Sequence, residues 1–285
     1  MTEMKPLTPS REYKSRLFVM LFNDRERLLE LYNAVSGRDY RDPGSLTINT
    51  LENAIYLSMK NDISFLIDFR LSLYEHQSTY NPNMPLRFLY YLADLYSAMT
   101  QGKNRYGVTR ISLPTPEFVV FYNGEDEQPD RQELRLSDSY EIMDREPALE
   151  LKVVMLNVNA GHNPELMETS KTLREYAEYV KRVRQYAKEL AITDAVERAI
   201  TECIQEGILR EFLEKNRAEA RAVSIYEYNE EEHMRMEREE FFEKGRLAEQ
   251  ENTERERKRA EVEKRRADAA EAELERLRAE LRKVK

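Results

Sequence analysis

The chain has 285 residues, of which 41% are hydrophobic and 35% charged, and its formal net charge is −9. This length supports a sizeable core in one large or two modest domains, and the negative charge argues against a general nucleic-acid coat protein. There is no apolar run of the roughly 18 residues that a membrane span needs and no apolar leader, and Cys203 is the single cysteine, so we expect a cytoplasmic protein with no membrane partner, disulfide or cysteine-cluster zinc site.

Hydrophobic spacing predicts a succession of helices and strands. The first helical stretch is expected to break at Asn23-Asp24 and to end at Gly37. In chain order, the predicted elements are helices over 9–35, strands over 46–58, 61–71 and 73–79, a helix over 86–102, strands over 116–124 and 148–159, and helices over 163–216.

This order predicts an α/β domain over residues 9–190 and a helical extension over 191–245. Beyond Gly245 the composition changes to Glu, Arg, Lys and Ala, which predicts a charged C-terminal helix over 246–285. Apolar residues there recur in steps of three and four, as in a heptad seam: Ala267, Ala270, Leu274, Leu277, Leu281 and Val284. Two interpretations remain open, a solvated helix held by i,i+4 ion pairs and a coiled coil that makes a homo-oligomer.

Acidic and polar residues stand at the open end of a predicted hairpin. If its turn falls near Phe69, Asp62 on the first strand lies nearly opposite Glu75 on the second. Side chains alternate along a strand, so Glu75 and Gln77 point to one face and His76 to the other.

Two carboxylates side by side repel each other unless a cation lies between them. Mg²⁺ (or Mn²⁺) is bound by oxygen ligands of this type and keeps waters for chemistry. Asp62 and Glu75 are therefore candidate metal ligands. The structural alternative is an ion pair between Glu75 and either Arg70 or Arg87.

Several strings of the chain resemble the Rpn family of recombination-promoting nucleases, which are also labelled transposases and belong to the PD-(D/E)xK nuclease superfamily. The similarity covers nearly all of residues 10–245, and the EHQST–NPNMPLR string is its most specific part. The strings are MKNDISFLID, LYEHQSTYNPNMPLRFLYYLADLY, PEFVVFYNGE, LRLSDSY, NAGHNPELMETSKTLREYAEYV and AITECIQEGILREFLEKNRAE.

The resemblance implies a restriction-endonuclease-like fold, with a mixed sheet flanked by helices, and a Mg²⁺-dependent DNA endonuclease associated with recombination. It implies that Asp62 and Glu75 bind the metal, with the backbone carbonyl of His76 as third ligand. Gln77 takes the position of the lysine in the superfamily's (D/E)xK motif, as it does in Rpn-like proteins. Glutamine can orient a water or a phosphate oxygen, but it carries no positive charge.

The first helix departs from the family pattern D-x-x-F-[KR]-x-x-F. Ser15 stands in place of the acid and Val19 in place of the base, and Glu12 or Glu30 could supply the missing carboxylate. This departure favours a second hypothesis, a nuclease fold that has lost cleavage and binds DNA or protein as a scaffold.

DNA would be bound through basic residues that contact phosphates. The candidates are Lys60, which lies two residues before Asp62, then Arg87, and the cluster of Lys103, Arg105 and Arg110. For that cluster, a solvated loop is the alternative interpretation.

Overall fold

The computed structural model describes residues 16–48, 62–142 and 146–283, with side chains described only in part after residue 229. In these ranges the helices are α1 Arg16–Phe22, α2 Arg25–Ser36, α3 Met84–Met99, α4 Pro164–Thr169, α5 Lys171–Ala187, α6 Ile192–Glu206, α7 Arg210–Lys215 and α8 Arg217–Lys283. The strands are β1 Thr47–Ile48, β2 Ile63–Ile67, β3 Arg70–Gln77, β4 Thr115–Tyr122, β5 Arg131–Arg135 and β6 Lys152–Asn157. Short 3₁₀ turns lie at Pro43–Ser45 and Leu136–Ser139.

The strands of the described ranges form one mixed sheet in the order β1-β2-β3-β4-β6-β5. Strands β3, β4 and β6 run parallel, and the remaining pairs are antiparallel. The predicted α/β class, with a mixed sheet flanked by helices, is confirmed. The edge strand β5 was not predicted, because its sequence RQELR is mostly charged and lacks a strong apolar alternation.

The hairpin of β2 and β3 has the predicted geometry. Asp68 and Phe69 form its turn with φ angles of +44° and +60°, as in the primed turns that match strand twist. Ile63 pairs with Tyr74, so Asp62 lies opposite Glu75 at the open end.

Two apolar clusters cover the two faces of the sheet. One contains α1, α2 and α5–α7 packed against residues such as Tyr74 and Phe121. The other contains α3 packed against Leu71, Leu73 and Tyr122. Alternation along β3 therefore puts Glu75 on the α3 face and His76 on the opposite face, as expected.

The first two helices are separated where the sequence predicts. Asp24 caps α2 by accepting hydrogen bonds from the backbone N–H groups of Glu26 and Arg27. Gly37 ends α2 in the left-handed conformation, with φ +68°.

Four long-range hydrogen bonds attach the N-terminal helices to the later part of the chain. The Glu30 carboxylate caps α5, accepting from Ser170 Oγ and from the N and Oγ1 of Thr172, each at 2.9 Å. The backbone N–H of Leu17 donates to Glu227 Oε1 at 3.0 Å. Glu30, proposed as a source of the missing first-helix acid, is thus engaged in a cap.

The chain divides into two units, residues 1–231 and residues 232–285, and the division falls inside α8. Both apolar clusters belong to the first unit. In the second unit the structure describes a helical backbone up to Lys283, whereas the heptad side chains from Ala267 onward lie outside the described side chains. The predicted boundaries at residues 190 and 245 stay predictions.

None of the described helices combines the length and the apolar character that a membrane crossing requires. Ser15, Glu12, Lys60 and most of the strand predicted over 46–58 lie outside the described residues.

Candidate active site

Asp62 immediately precedes β2, where its side chain extends the pairing of the two strands. Asp62 Oδ2 accepts a hydrogen bond from the backbone N–H of His76 at 2.8 Å. The carboxylate thus takes the position that a backbone carbonyl would have in the strand pairing. This bond holds it next to Glu75, the residue before His76.

Glu75 is a buried acid, with only 3% of its surface exposed. Burial raises the pKa of its carboxyl well above the ordinary value, and the charge of Asp62 raises it further, while Arg87 and Tyr91 act in the opposite direction. Glu75 Oε1 has no hydrogen-bond partner among the described residues. A buried, unsatisfied carboxylate oxygen beside a second carboxylate is costly to maintain in the absence of a cation.

Arg87, in the first turn of α3, is the described basic residue that pairs with this acid. Its Nη2 lies 3.6 Å from Glu75 Oε2, and its Nε and Nη2 donate to the Tyr91 hydroxyl at 3.2 and 2.8 Å. Arg70, the other partner considered from the sequence, pairs instead with Glu117 at 2.9 Å. Burial and the Glu75 charge raise the pKa of Tyr91 to about 12, so its hydroxyl stays protonated at neutral pH.

Gln77 lies on the same face, between Arg87 and the loop that follows β3. Because Arg87 is a donor and the Thr79 carbonyl an acceptor, the amide is assigned with its oxygen toward Arg87. In this orientation Gln77 Oε1 accepts from Arg87 Nη1 at 2.9 Å and Nε2 donates to Thr79 O at 3.3 Å. The structure therefore brings Asp62, Glu75, Gln77 and Arg87 together.

The His76 ring lies in the apolar cluster on the opposite face. It stacks on Phe18 with ring centroids 4.9 Å apart, and its Nε2 lies 2.9 Å from the Tyr176 hydroxyl. Burial, helped by the charge of Arg184, lowers the pKa of His76 to about 3, so the ring is neutral. Its side chain anchors β3 to α1 and α5, and a metal-binding role for its backbone carbonyl stays a prediction.

Arg184 was not predicted from the sequence. It lies in the last turn of α5 and donates to the carbonyl of Asn123, just after β4, and to Asn159 Oδ1 just after β6. The parallel strands β3, β4 and β6 end at the same edge of the sheet, so Arg184 joins two of these strand ends. Its only sequence signal was a basic residue near a helix C-terminus.

Lys103 and Arg105 are not brought to the site. They lie in the loop that leads into β4, whose first residue Thr115 pairs with Arg70, whereas Tyr122 pairs with Gln77. Seven residues of parallel strand separate the two ends, about 23 Å at the usual rise. This basic loop therefore lies toward the opposite edge of the sheet. Lys60 lies outside the described residues.

The two carboxylates fit a divalent cation, although they form only a partial ligand set. Within the described residues there is no group of three or more His, Cys, Asp or Glu side chains that could hold a metal. Asp62 and Glu75 supply hard oxygen ligands, and Mg²⁺ commonly uses one or two protein carboxylates and fills its other positions with water and substrate oxygens. The unsatisfied Glu75 Oε1 is the observation that fits such an ion.

No family model matches this chain, and the comparisons with curated proteins and with solved structures gave no match.

Proposed function

We propose that this protein is a metal-dependent DNA endonuclease of the recombination-promoting (Rpn) type, with a restriction-endonuclease-like fold. The observation that carries the proposal is the buried Glu75 carboxylate, whose Oε1 has no described partner and which lies beside Asp62. The mixed sheet with the acidic pair at the end of a hairpin is compatible with that fold. The resemblance of the strings around Asp62 and Glu75 to the Rpn family supports the same conclusion.

Asp62 and Glu75 would hold Mg²⁺ or Mn²⁺. When bound, such an ion lowers the pKa of a coordinated water and stabilises negative charge on a phosphate. The His76 N–H fixes the orientation of the Asp62 carboxylate. Glu75 must be ionised to bind a cation, and Arg87 favours that ionised form.

Cleavage of supercoiled plasmid DNA in Mg²⁺ and in Mn²⁺ tests this proposal. Wild type should nick or linearise the plasmid only with the metal, and Asp62→Asn should abolish the activity. Glu133→Gln is a matched control, since it removes an acid on β5 that pairs with Arg135 outside the site. Cleavage that survives Asp62→Asn, or that needs no divalent ion, would contradict the assignment.

A nuclease fold without cleavage, acting as a DNA- or protein-binding scaffold, is the second candidate. The observation in its favour is that Arg87 already places a cation 3.6 Å from Glu75 Oε2. Ser15 and Val19, in place of the family's first-helix acid and base, point the same way. Under this hypothesis the purified protein binds DNA or a protein with unchanged affinity in EDTA and does not cut at any metal concentration.

A further inference from the structure

The proposed active site lacks a positive charge at position 77, where the superfamily motif has lysine. Phosphodiester hydrolysis builds negative charge on the phosphate oxygens, and enzymes offset this charge with metal ions and with Lys or Arg. Gln77 is neutral and can only donate or accept hydrogen bonds.

A cation nevertheless reaches this position from α3. Arg87 Nη1 lies 2.9 Å from Gln77 Oε1, and Nη2 lies 3.6 Å from Glu75 Oε2. Two other basic side chains near the sheet are engaged elsewhere, since Arg70 pairs with Glu117 and Arg184 binds the loops that follow β4 and β6.

We propose that Arg87 supplies the positive charge to the reacting phosphate, and that Gln77 is a positioning residue that holds the guanidinium in place. This inference rests on the proposed nuclease function. It assigns to a helix residue the charge that position 77 lacks, and it gives Gln77 a role that acts through Arg87.

The surroundings of Arg87 suit this role. The Tyr91 hydroxyl accepts from Nε and Nη2, and Gln77 Oε1 accepts from Nη1, so one N–H of each nitrogen is engaged. Nη1 also donates to Met84 Sδ, a weak acceptor, at 3.4 Å. A guanidinium carries five donors, so a phosphate can take the remaining N–H of Nη2 and can displace the weak sulfur contact of Nη1. The Arg87 side chain is 32% exposed against 4% for Glu75, so a phosphate can approach the arginine from solvent next to the carboxylates.

A purely structural role for Arg87 leads to different kinetics. If Arg87 only neutralised Glu75, its loss would change how much metal is needed for cleavage, and the rate at saturating metal would recover. If it contacts the phosphate, its loss lowers the single-turnover rate even at saturating Mg²⁺, because the missing contact belongs to the transition state.

The experiment is single-turnover cleavage of one labelled duplex across a Mg²⁺ series, using the full chain. Arg87→Gln should lower the saturating rate by about 100- to 1,000-fold, the usual cost of losing one transition-state donor. Arg87→Lys should lower it by about tenfold, because a lysine keeps the charge but not the planar pair of donors. The double variant Arg87→Gln/Gln77→Lys should regain about tenfold or more over Arg87→Gln, because it moves the charge to the strand.

The matched control is Arg70→Gln, which removes an arginine at the start of β3 that pairs with Glu117 away from the site. It should cleave as wild type does. Thermal unfolding of each variant identifies loss of fold. Should Arg87→Gln not fold, Arg87→Lys keeps a cation beside Glu75 and carries the test.

Each outcome decides the matter. If the wild type cleaves DNA and Arg87→Gln has the same rate at saturating Mg²⁺, the role of Arg87 is overturned and the nuclease assignment stands. The same holds for Arg87→Lys if that variant carries the test. A shift in the Mg²⁺ midpoint alone also overturns it, in favour of the structural role. A wild-type protein that cuts no DNA overturns the nuclease function and this inference together.

Discussion

The carboxylate of Asp62 accepts a hydrogen bond from the backbone N–H of His76 at 2.8 Å, so a side chain at the end of one strand continues the pairing of the next. This bond fixes the position of one acid next to another, and Glu75 remains buried beside it with one oxygen unpaired among the described residues.

Neutral substitutes for either acid should separate activity from stability. Asp62→Asn and Glu75→Gln are each expected to lose Mg²⁺-dependent cleavage by about 1,000-fold, since a metal ion contributes several kcal/mol to such reactions. Thermal stability should stay the same or rise slightly, because each variant removes one of two repelling charges. Melting curves and plasmid cleavage measure the two effects, and a variant that unfolds would favour a structural ion pair.

The raised pKa of Glu75 predicts a pH dependence of stability in metal-free buffer. The carboxyl has the ordinary pKa of 4.5 when unfolded and a much higher one when folded. Between these values the folded state binds more protons, so this group's contribution to the free energy of unfolding falls as the pH rises. Glu75→Gln cannot titrate, so its stability relative to wild type should grow as the pH rises above the unfolded pKa of 4.5. Urea unfolding in EDTA tests this, and parallel pH profiles would contradict it.

His76 predicts the opposite trend on the other face of the same strand. Its pKa is 6.5 when unfolded and about 3 when folded, because burial disfavours the charged ring. The unfolded state therefore binds more protons in this window, and the stability present above pH 6.5 is lost as the pH falls toward 3. His76→Gln, which keeps an acceptor for Tyr176, should lose less stability than wild type on acidification. Equal losses in acid urea titrations would rule out His76 as the cause.

The amide of Gln77 should matter for rate rather than for metal binding. Gln77→Leu removes the contact to Arg87 Nη1 and should slow single-turnover cleavage by about ten- to a hundredfold through lost positioning. Metal affinity should change little because both carboxylates remain. Gln77→Lys should keep cleavage, since it adds a charge near the same place. If Gln77→Leu cuts as fast as wild type, the site does not include Gln77.

The charged C-terminal helix should be dispensable for folding. Both apolar clusters are built from residues of the first unit. A chain ended after Gly245 should therefore be soluble and unfold cooperatively, with a denaturation midpoint close to that of the full chain. Circular dichroism in urea measures this, and an aggregated or non-cooperative product would show that residues 246–285 are needed.

Much of the first unit follows from local patterns. The break at Asn23-Asp24, the end of α2 at Gly37 and the hairpin turn near Phe69 each depend on the residues at that point, and the structure confirms all three. Glu75 and His76 face opposite sides because strand alternation leaves no other arrangement.

The remaining features depend on contacts between distant segments, which no local pattern encodes. β5 is stabilised by pairing with β6, and its own residues are poor strand formers. The choice of Arg87 over Arg70 as the partner of Glu75 depends on where α3 packs. The placement of Lys103 and Arg105 away from the site follows from the parallel pairing of β3 with β4, because parallel strands carry their connection back to the opposite edge.

The bonds from Leu17 to Glu227 and from Glu30 to Thr172 join residues 210 and 142 positions apart in the chain. During synthesis, the first helices leave the ribosome long before their partners exist. The cap of α5 cannot form until residue 172 has emerged, and the Leu17 bond must wait for residue 227. Chains with such distant contacts fold slowly and expose apolar surface meanwhile. The N-terminal helices are therefore the part of a nascent chain where chaperone binding should be concentrated.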